Sequence, residues 1–176
     1  MDIDSIIDQY YERIYKLCLF YLNNKEEAEE ILQEIFIKIM GKRHTFKGNS
    51  AVYTWIYRIA VNTLLNYLNR KKFLEFISFD LVKNDEGTPD FQGSGSSHGD
   101  PAVLYEKEEI RQWQLEQLEY CILKLSRREK TAFYFFHYDR LKHKEIAEIM
   151  NTSIPAVESL LHKAMKKIKT CAANFE

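Results

Sequence analysis

Basic and aromatic side chains are interleaved over residues 41–72, a combination suited to binding a single-stranded nucleic acid. This stretch holds seven basic residues and no acidic one. Rings can stack on the bases of an opened strand while cations follow its phosphates, at roughly 1–3 kcal/mol per stacked base. Phe46, in the loop sequence TFKGNS, has little to bury against and is the strongest candidate for stacking. Trp55 and Tyr67 suit burial in a helical core as well as they suit base stacking.

The sequence HKEIAEIMNTSIPAVESLLHK, residues 143–163, predicts a helix-turn-helix. Ala147 allows two helices to approach closely, and Asn151, four residues later, suits a turn that needs positive φ. Ser153 can cap the second helix, and Pro155 fits its first turn, where no amide hydrogen is needed. In DNA-binding proteins such a second helix lies in the major groove of the duplex. A plain helical hairpin inside a bundle is the alternative.

Acidic residues cluster at 26–34, and three of them, Glu27, Glu30 and Glu34, share one face of a helix. Carboxylates at this spacing can hold Mg²⁺ for nucleotide hydrolysis in helical bundles. Such a site needs a second acid pair, and the other acids among residues 1–72 all lie early in the first helix. We therefore favour a solvated helix face that doubles as a docking surface, with an all-α magnesium-dependent nucleotide hydrolase as an alternative.

The elements that must position these residues are helices. Apolar residues recur at helical spacing over residues 6–21 and 28–39, from Ser50 to about Lys72, and again downstream of residue 102. Ser50 is the predicted N-cap of the third helix, and the basic sequence RKK suits the C-terminal end of its dipole. Residues 73–82 are interpreted as the fraying end of that helix. The predicted fold class is all-α.

Residues 84–101 divide the chain. This segment contains four of the six glycines and two of the three prolines and shows no periodicity, so we predict a flexible linker. It joins two small helical domains, residues 1–83 and residues 102–176, and the second contains the helix-turn-helix. The net charge is only −1, but acidic and basic residues fall in alternating blocks. Two separate basic blocks favour a polyanion that is contacted in two places.

Several classes of protein are disfavoured by the composition. There is no run of eighteen apolar residues, and the N-terminus is acidic where a secretory signal would be basic. We therefore expect a soluble, cytoplasmic protein without membrane insertion. Cys18, Cys121 and Cys171 lie far apart with no CxxC motif, so we expect reduced, partly buried thiols rather than a metal or redox site. No metal or cofactor is expected.

Four segments in order resemble the extracytoplasmic-function (ECF, group IV) sigma factors of bacterial RNA polymerase. AEEILQEIFIKIM resembles the polymerase-docking helix of that family, and FKGNSAVYTWIYRIAVN resembles its minus-ten recognition and melting segment. LEYCILKLSRREKTAF and HKEIAEIM…AVESLLHKAMKKIK resemble its minus-thirty-five binding domain. The resemblance covers both predicted domains and leaves only the linker unaligned. It implies a non-enzymatic factor that binds core polymerase, directs it to specific promoters and helps to melt the minus-ten region.

The resemblance also implies roles for residues at matching positions. Contacts with the clamp helices of the polymerase's largest subunit fall to Glu30, Gln33, Glu34, Phe36 and Lys38. Phe46 and Asn62 would form part of a pocket for a flipped base of the minus-ten element. The full set of implied minus-ten contacts is Phe46, Lys47, Gly48, Asn49, Ser50, Tyr53, Arg58 and Asn62. Contacts with the minus-thirty-five duplex fall to Lys144, Glu158, Ser159, His162, Lys163 and Lys166.

Departures from the family pattern concern individual contacts. Leu160 and Met165 stand where many members have arginines, and Ser126 and Lys130 stand where proline and arginine are usual. The resemblance further implies an inhibitory anti-sigma factor and a monomeric free protein. A helix-turn-helix regulator that never docks on polymerase is the other alternative, but it leaves LQEIFIKIM and the aromatic block unexplained.

Overall fold

The computed structural model describes residues 3–48, 50–81, 113 and 115–175, and every regular element within these ranges is helical. The helices are α1 (Ile3–Leu22), α2 (Lys25–Lys42), α3 (Val52–Leu81), α4 (residues 115–123), α5 (Arg127–His137), α6 (His143–Ile149) and α7 (Ile154–Ala172). A short 3-10 turn, Arg43–Thr45, follows α2. The all-α prediction is confirmed, whereas the predicted linker at 84–101 lies outside the described residues.

Helices α1, α2 and α3 form the N-terminal domain around a core of fully buried aliphatic side chains. Asn23 takes a positive φ of 49° between α1 and α2, and the Asn24 side chain caps α2 by accepting a hydrogen bond from the Glu27 amide at 3.0 Å. The core of this domain includes Ile14, Leu17, Leu32, Ile35, Ile56 and Leu64. This packing fixes which faces of α2 and α3 remain at the surface.

Helices α4 to α7 form the C-terminal domain, and the predicted helix-turn-helix occupies α6 and α7. Asn151 has a φ of 49°, the Ser153 hydroxyl accepts a hydrogen bond from the Ala156 amide, and Pro155 lies in the first turn of α7. Ala147 is 5 % exposed beneath the turn. Each of these local predictions is confirmed. The Ser126 side chain and Glu129 form a capping box at the start of α5.

The two domains are docked, and one continuous hydrophobic core extends through both of them. The rings of Tyr57 and Phe135 meet with centroids 5.0 Å apart, and those of Phe20 and Tyr134 lie 4.9 Å apart. The Tyr21 hydroxyl shares a hydrogen bond with the Thr131 hydroxyl in the same buried layer. Burial of this aromatic surface between the domains holds them together.

Three local expectations are wrong. Helix α3 begins at Val52, so Ser50 lies too far upstream to be its N-cap. The helix continues to Leu81, so the RKK sequence lies within it rather than at its end, because the apolar residues beyond position 72 extend the helical pattern. The thiols of Cys121 and Cys171 are not separate, because the folding of α4 against α7 joins them in a disulfide. Only Cys18 is a free, buried thiol.

Across the described ranges, the helices are all too short or too polar to cross a lipid bilayer.

Candidate polymerase and nucleic-acid surfaces

The outer face of α2 carries polar residues around an exposed isoleucine. Glu30, Gln33 and Ile37 follow one another at intervals of three and four residues, so they share a face of the helix, and all three are exposed. Ile37 is 63 % exposed, which is high for a large aliphatic side chain in a folded helix. Lys38 pairs with Glu34 along the flank of this surface. We refer to Glu30, Gln33, Glu34, Ile37 and Lys38 as the α2 face.

Phe36, a predicted polymerase contact, belongs to the core. Its side chain is 7 % exposed and its ring stacks on Tyr11 with centroids 6.1 Å apart. The motif comparison could not distinguish the residue that faces inwards from its neighbour Ile37, which faces outwards. The sequence analysis did not single out Ile37, although a helical wheel through positions 31, 32, 35 and 39 places it on the side opposite to the buried residues.

Two glutamates of α2, Glu27 and Glu34, are paired with cations on α3. Glu27 accepts hydrogen bonds from Lys71 Nζ at 2.6 Å and from the Tyr67 hydroxyl at 3.1 Å. Glu34 lies 3.8 Å from Arg70 in addition to its pair with Lys38. In the part of the chain that the structure describes, no three His, Cys, Asp or Glu side chains are grouped as metal ligands would be. These ion pairs disfavour the magnesium-dependent hydrolase.

The loop between α2 and α3 presents Phe46 at the surface. Its half-buried ring packs on Trp55 with centroids 5.5 Å apart, and Lys47 and Gly48 beside it are exposed. Gly48 has a φ of 73°, a conformation that side chains rarely adopt. Ser50 is half-buried, and Asn49 lies outside the described residues.

Asn62 is exposed on α3, seven residues beyond Trp55. This interval puts the two side chains on one face of the helix, about 10 Å apart along its axis. Phe46, which packs on Trp55, and Asn62 therefore lie on one side of the N-terminal domain. Trp55 was left open between core and surface in the sequence analysis, and the structure shows a half-buried ring in contact with Phe46.

Two predicted minus-ten residues form hydrogen bonds with the C-terminal domain. The Tyr53 hydroxyl donates to Glu145 Oε1 at 2.7 Å, and Arg58 Nε donates to the Glu148 carbonyl oxygen at 2.8 Å. Both acceptors belong to α6. The Lys142 amide, the Tyr53 hydroxyl and the charge of Lys142 together lower the pKa of Glu145. We call these two hydrogen bonds the α3–α6 latch.

The outer face of α7 carries the predicted minus-thirty-five residues. Glu158, Ser159, His162, Lys163 and Lys166 are all exposed, and the apolar side of the same helix is buried. Lys144 is exposed on α6. Glu158 lies 3.4 Å from His143 Nδ1, which brings α6 and α7 together at their exposed edge. The structure thus brings all six predicted residues to the surface of the helix-turn-helix.

Ser126 and Lys130, which stand where proline and arginine are usual in the family, both make contacts within the fold. Ser126 caps α5, and Lys167 Nζ lies 2.7 Å from the buried carboxylate of Glu129 in the same capping box. Lys130 is 7 % exposed, with its ammonium over the rings of Phe20 and Tyr21 at 4.9 and 5.2 Å. Burial lowers the pKa of Lys130 to about 8. These residues stabilise the C-terminal domain and its contact with α1.

Two family matches fall in separate parts of the chain. The Sigma-70 region 2 family matches residues 6–73, and the Sigma-70, region 4 family matches residues 115–168. The ECF RNA polymerase sigma factor SigW of Bacillus subtilis is 30 % identical over 165 residues, which cover 94 % of this chain and 86 % of that protein. The ECF RNA polymerase sigma-E factor of Escherichia coli K12 is 29 % identical over 167 residues, with coverages of 93 % and 82 %.

Two solved structures share the fold. The sigma factor RpoE of Bartonella quintana, in complex with the anti-sigma factor NepR, aligns with a TM-score of 0.70 at 14 % identity and covers 98 % of this chain and 97 % of its own. CnrH, in complex with the cytosolic domain of CnrY, aligns with a TM-score of 0.66 at 11 % identity, with coverages of 99 % and 89 %. The sequence relationship to SigW, together with the region 2 and region 4 matches, shows that this chain belongs to the ECF sigma factors of RNA polymerase.

Proposed function

We propose that this protein directs core RNA polymerase to specific promoters, with the α2 face as its docking surface. The observation that carries this proposal is the match of residues 6–73 to Sigma-70 region 2, because these residues include α2 with its exposed Ile37. An exposed apolar side chain with a polar rim can form the centre of a protein interface. A regulator that never docks on polymerase would have no use for this surface.

The minus-ten element would bind along the loop before α3 and the exposed face of that helix. A base turned out of the stack would enter a recess formed by Phe46, Trp55 and Asn62, where a ring can stack on it and an amide can read its edge. Lys47 lies at the rim of the same surface, where it can meet a phosphate. Binding a flipped base favours the open strands without any covalent step by this chain.

The minus-thirty-five element would bind to the helix-turn-helix. Ser159, His162 and Lys163 lie in the exposed N-terminal half of α7, the part of such a helix that reaches base edges. Lys166 and Lys144 lie to either side and would contact phosphates. With Leu160 and Met165 turned partly inward, fewer cations face the duplex than the family pattern provides.

Docked domains cannot use all of these surfaces at once. Tyr53 and Arg58 are held by α6 in the α3–α6 latch, so they must leave the C-terminal domain before they can meet promoter DNA. We infer that docking of the α2 face on polymerase precedes separation of the domains. Separation then frees the α3 surface and lets α7 bind further upstream on the duplex.

Localisation and control follow from the same role. A factor that acts on polymerase works in the cytoplasm, as a monomer when free. The solved relatives RpoE and CnrH were captured with NepR and with the cytosolic domain of CnrY, respectively. We propose that an anti-sigma factor likewise holds this protein inactive.

Run-off transcription with purified core bacterial RNA polymerase over a library of random promoters tests the proposal. We expect transcripts that depend on the protein and share two upstream sequence elements. Gln33→Ala should reduce binding to polymerase and leave binding to duplex DNA unchanged. Asn62→Ala should bind polymerase normally and open promoters poorly. No dependence on the protein at any promoter would exclude the function, and normal opening by Asn62→Ala would exclude the base recess.

A further inference from the structure

The C-terminal domain contains a disulfide that joins its first described helix to its last. Cys121 of α4 and Cys171 of α7 are bonded across 50 residues, with a Cα–Cα distance of 5.7 Å. The two residues are 1 % and 8 % exposed. The third cysteine, Cys18, lies in the core of the N-terminal domain, where burial raises its thiol pKa to about 12. Cys18 is therefore a poor nucleophile and takes no part in exchange.

Helix α4 has few other attachments to its domain. Among residues 115–123, only Cys121 and its neighbour Ile122 are buried, and Leu125 follows just beyond. The ring of Tyr120 meets that of Phe175 at 5.8 Å. Leu115, Leu118 and Leu123 are 39–50 % exposed. A helix held by so little apolar contact depends strongly on a covalent link.

The same helix forms one wall of a groove between the domains. Glu119, Ile122 and Leu123 of α4 face Leu19 and Phe20 of α1 across a cavity of about 670 Å³. Phe20 packs against the cores on both sides of this groove. The position of α4 thus affects the C-terminal end of α7 on one side and the domain interface on the other.

We propose that Cys121 and Cys171 form a redox-responsive clamp that fixes α4 on α7 when oxidised and releases it when reduced. In the reduction, a thiolate of a small dithiol attacks one sulfur and breaks the Cys121–Cys171 bond. The second thiol of the reductant then resolves the mixed disulfide, so that two protein thiols and one oxidised dithiol result. Cys171 is the less buried of the two and lies in the last turn of α7, so its sulfur is attacked first. A disulfide oxidant reverses the reaction.

Closing a loop of this length restricts the unfolded chain, so oxidation should raise the melting temperature of the C-terminal domain by on the order of 10 °C. Between the melting temperatures of the two forms, only the oxidised protein keeps α7 folded. This last consequence rests on the proposed function: in that temperature window the oxidised protein binds minus-thirty-five duplex and the reduced protein does not.

The test uses the full chain equilibrated in mixtures of reduced and oxidised dithiothreitol. Alkylation of the denatured protein, counted by mass, should give one thiol at the oxidising end and three at the reducing end. Melting of each end state should show the expected shift, and Cys18→Ala should show the same shift with one thiol fewer in each state. Three thiols under every condition, or equal melting temperatures for the two states, would overturn the clamp.

Two variants separate the clamp from a general loss of folding. The double change Cys121→Ser with Cys171→Ser should melt like the reduced wild-type protein and should not respond to redox conditions. Duplex binding is then measured for both wild-type states within the window between their melting temperatures, with a loss of at least tenfold expected for the reduced form. A melting shift without any duplex binding in either state would count against the proposed function and leave the clamp standing, whereas equal binding by both states in that window would overturn its role in DNA binding.

Discussion

The outer faces of α2 and α3 are both proposed binding surfaces, yet only the α2 face is entirely free in the docked protein. The α2 face lies open to solvent around Ile37, whereas Tyr53 and Arg58 on α3 are bonded to α6. Under the proposed function, this difference predicts an order of events. The protein would meet polymerase as it stands, and Tyr53 and Arg58 would reach an opened promoter only after the domains separate.

The largest effect, a loss of stability, should come from substitution of Phe36, the buried neighbour of Ile37. Phe36→Ala removes a 7 % exposed ring from the N-terminal core and should destabilise the protein by about 3 kcal/mol. Chemical denaturation measures the loss. Exposed Glu12→Ala on α1 serves as the control. If Phe36→Ala keeps full stability and loses only polymerase binding, Phe36 is a contact after all and the inward register of α2 is wrong.

Ile37→Asp tests the open side of the same helix. Because Ile37 is 63 % exposed, the substitution should leave stability within about 0.5 kcal/mol of wild type. A carboxylate at the centre of an interface should weaken binding to core polymerase by about 2 kcal/mol, roughly 30-fold. Fluorescence titration with core enzyme measures the affinity. Unchanged affinity would remove the α2 face from the account.

Lys130 predicts a pH dependence of the docked state. Burial lowers its pKa from 10.5 to about 8, although the rings of Phe20 and Tyr21 partly offset this by favouring the cation. At Lys130 the unfolded chain therefore holds more protons than the folded one between pH 8 and pH 10, so the contribution of this residue to stability should rise with pH. The buried Cys18 thiol, whose pKa is raised to about 12, contributes in the opposite direction, so the wild type is compared with Lys130→Met. From pH 7.5 to 9.5 the difference in stability between the two proteins should change by about 1–2 kcal/mol in favour of the wild type, as measured by chemical denaturation. An unchanged difference would show that Lys130 is not the titrating group.

Tyr53→Phe should loosen the α3–α6 latch. It removes a hydrogen bond to a carboxylate and should shift the balance between docked and separated domains by about 1 kcal/mol, near fivefold. The matched control is Tyr67→Phe, which removes a similar phenol–carboxylate bond, to Glu27, within the N-terminal domain. Small-angle scattering of the free proteins should show expansion for Tyr53→Phe alone. Equal radii for the two variants would mean that the latch does not hold the domains.

The smallest effect concerns the exposed face of α7, which is free of the latch. Lys163→Ala should weaken binding to the minus-thirty-five duplex and lower the slope of log affinity against log salt by about one. Lys169→Ala, also exposed but in the last turn of α7, should leave the slope unchanged. A slope that responds equally to both changes would indicate a diffuse charge effect rather than a contact.

Local features of this fold were predictable from the sequence, and the long-range ones were not. Asn151, Ser153 and Pro155 determine the turn of the helix-turn-helix through their own backbone and side-chain chemistry, so their prediction succeeded. The disulfide between Cys121 and Cys171 depends on how α4 packs on α7, across 50 residues. The latch depends on contacts between α3 and α6, which lie about 90 residues apart in the sequence. The orientation of the Phe36 side chain towards the core and of the Ile37 side chain towards solvent depends on how α2 packs against α1.

The distance between the domains with and without polymerase tests the central claim most directly. Fluorophores can be attached through encoded amino acids at the exposed positions Glu26 on α2 and Lys169 on α7. Energy transfer should report one short distance in the free protein and a longer one when core RNA polymerase is present in excess. A distance that stays short in the bound protein, or one that is already long in the free protein, would contradict the order of docking first and opening second.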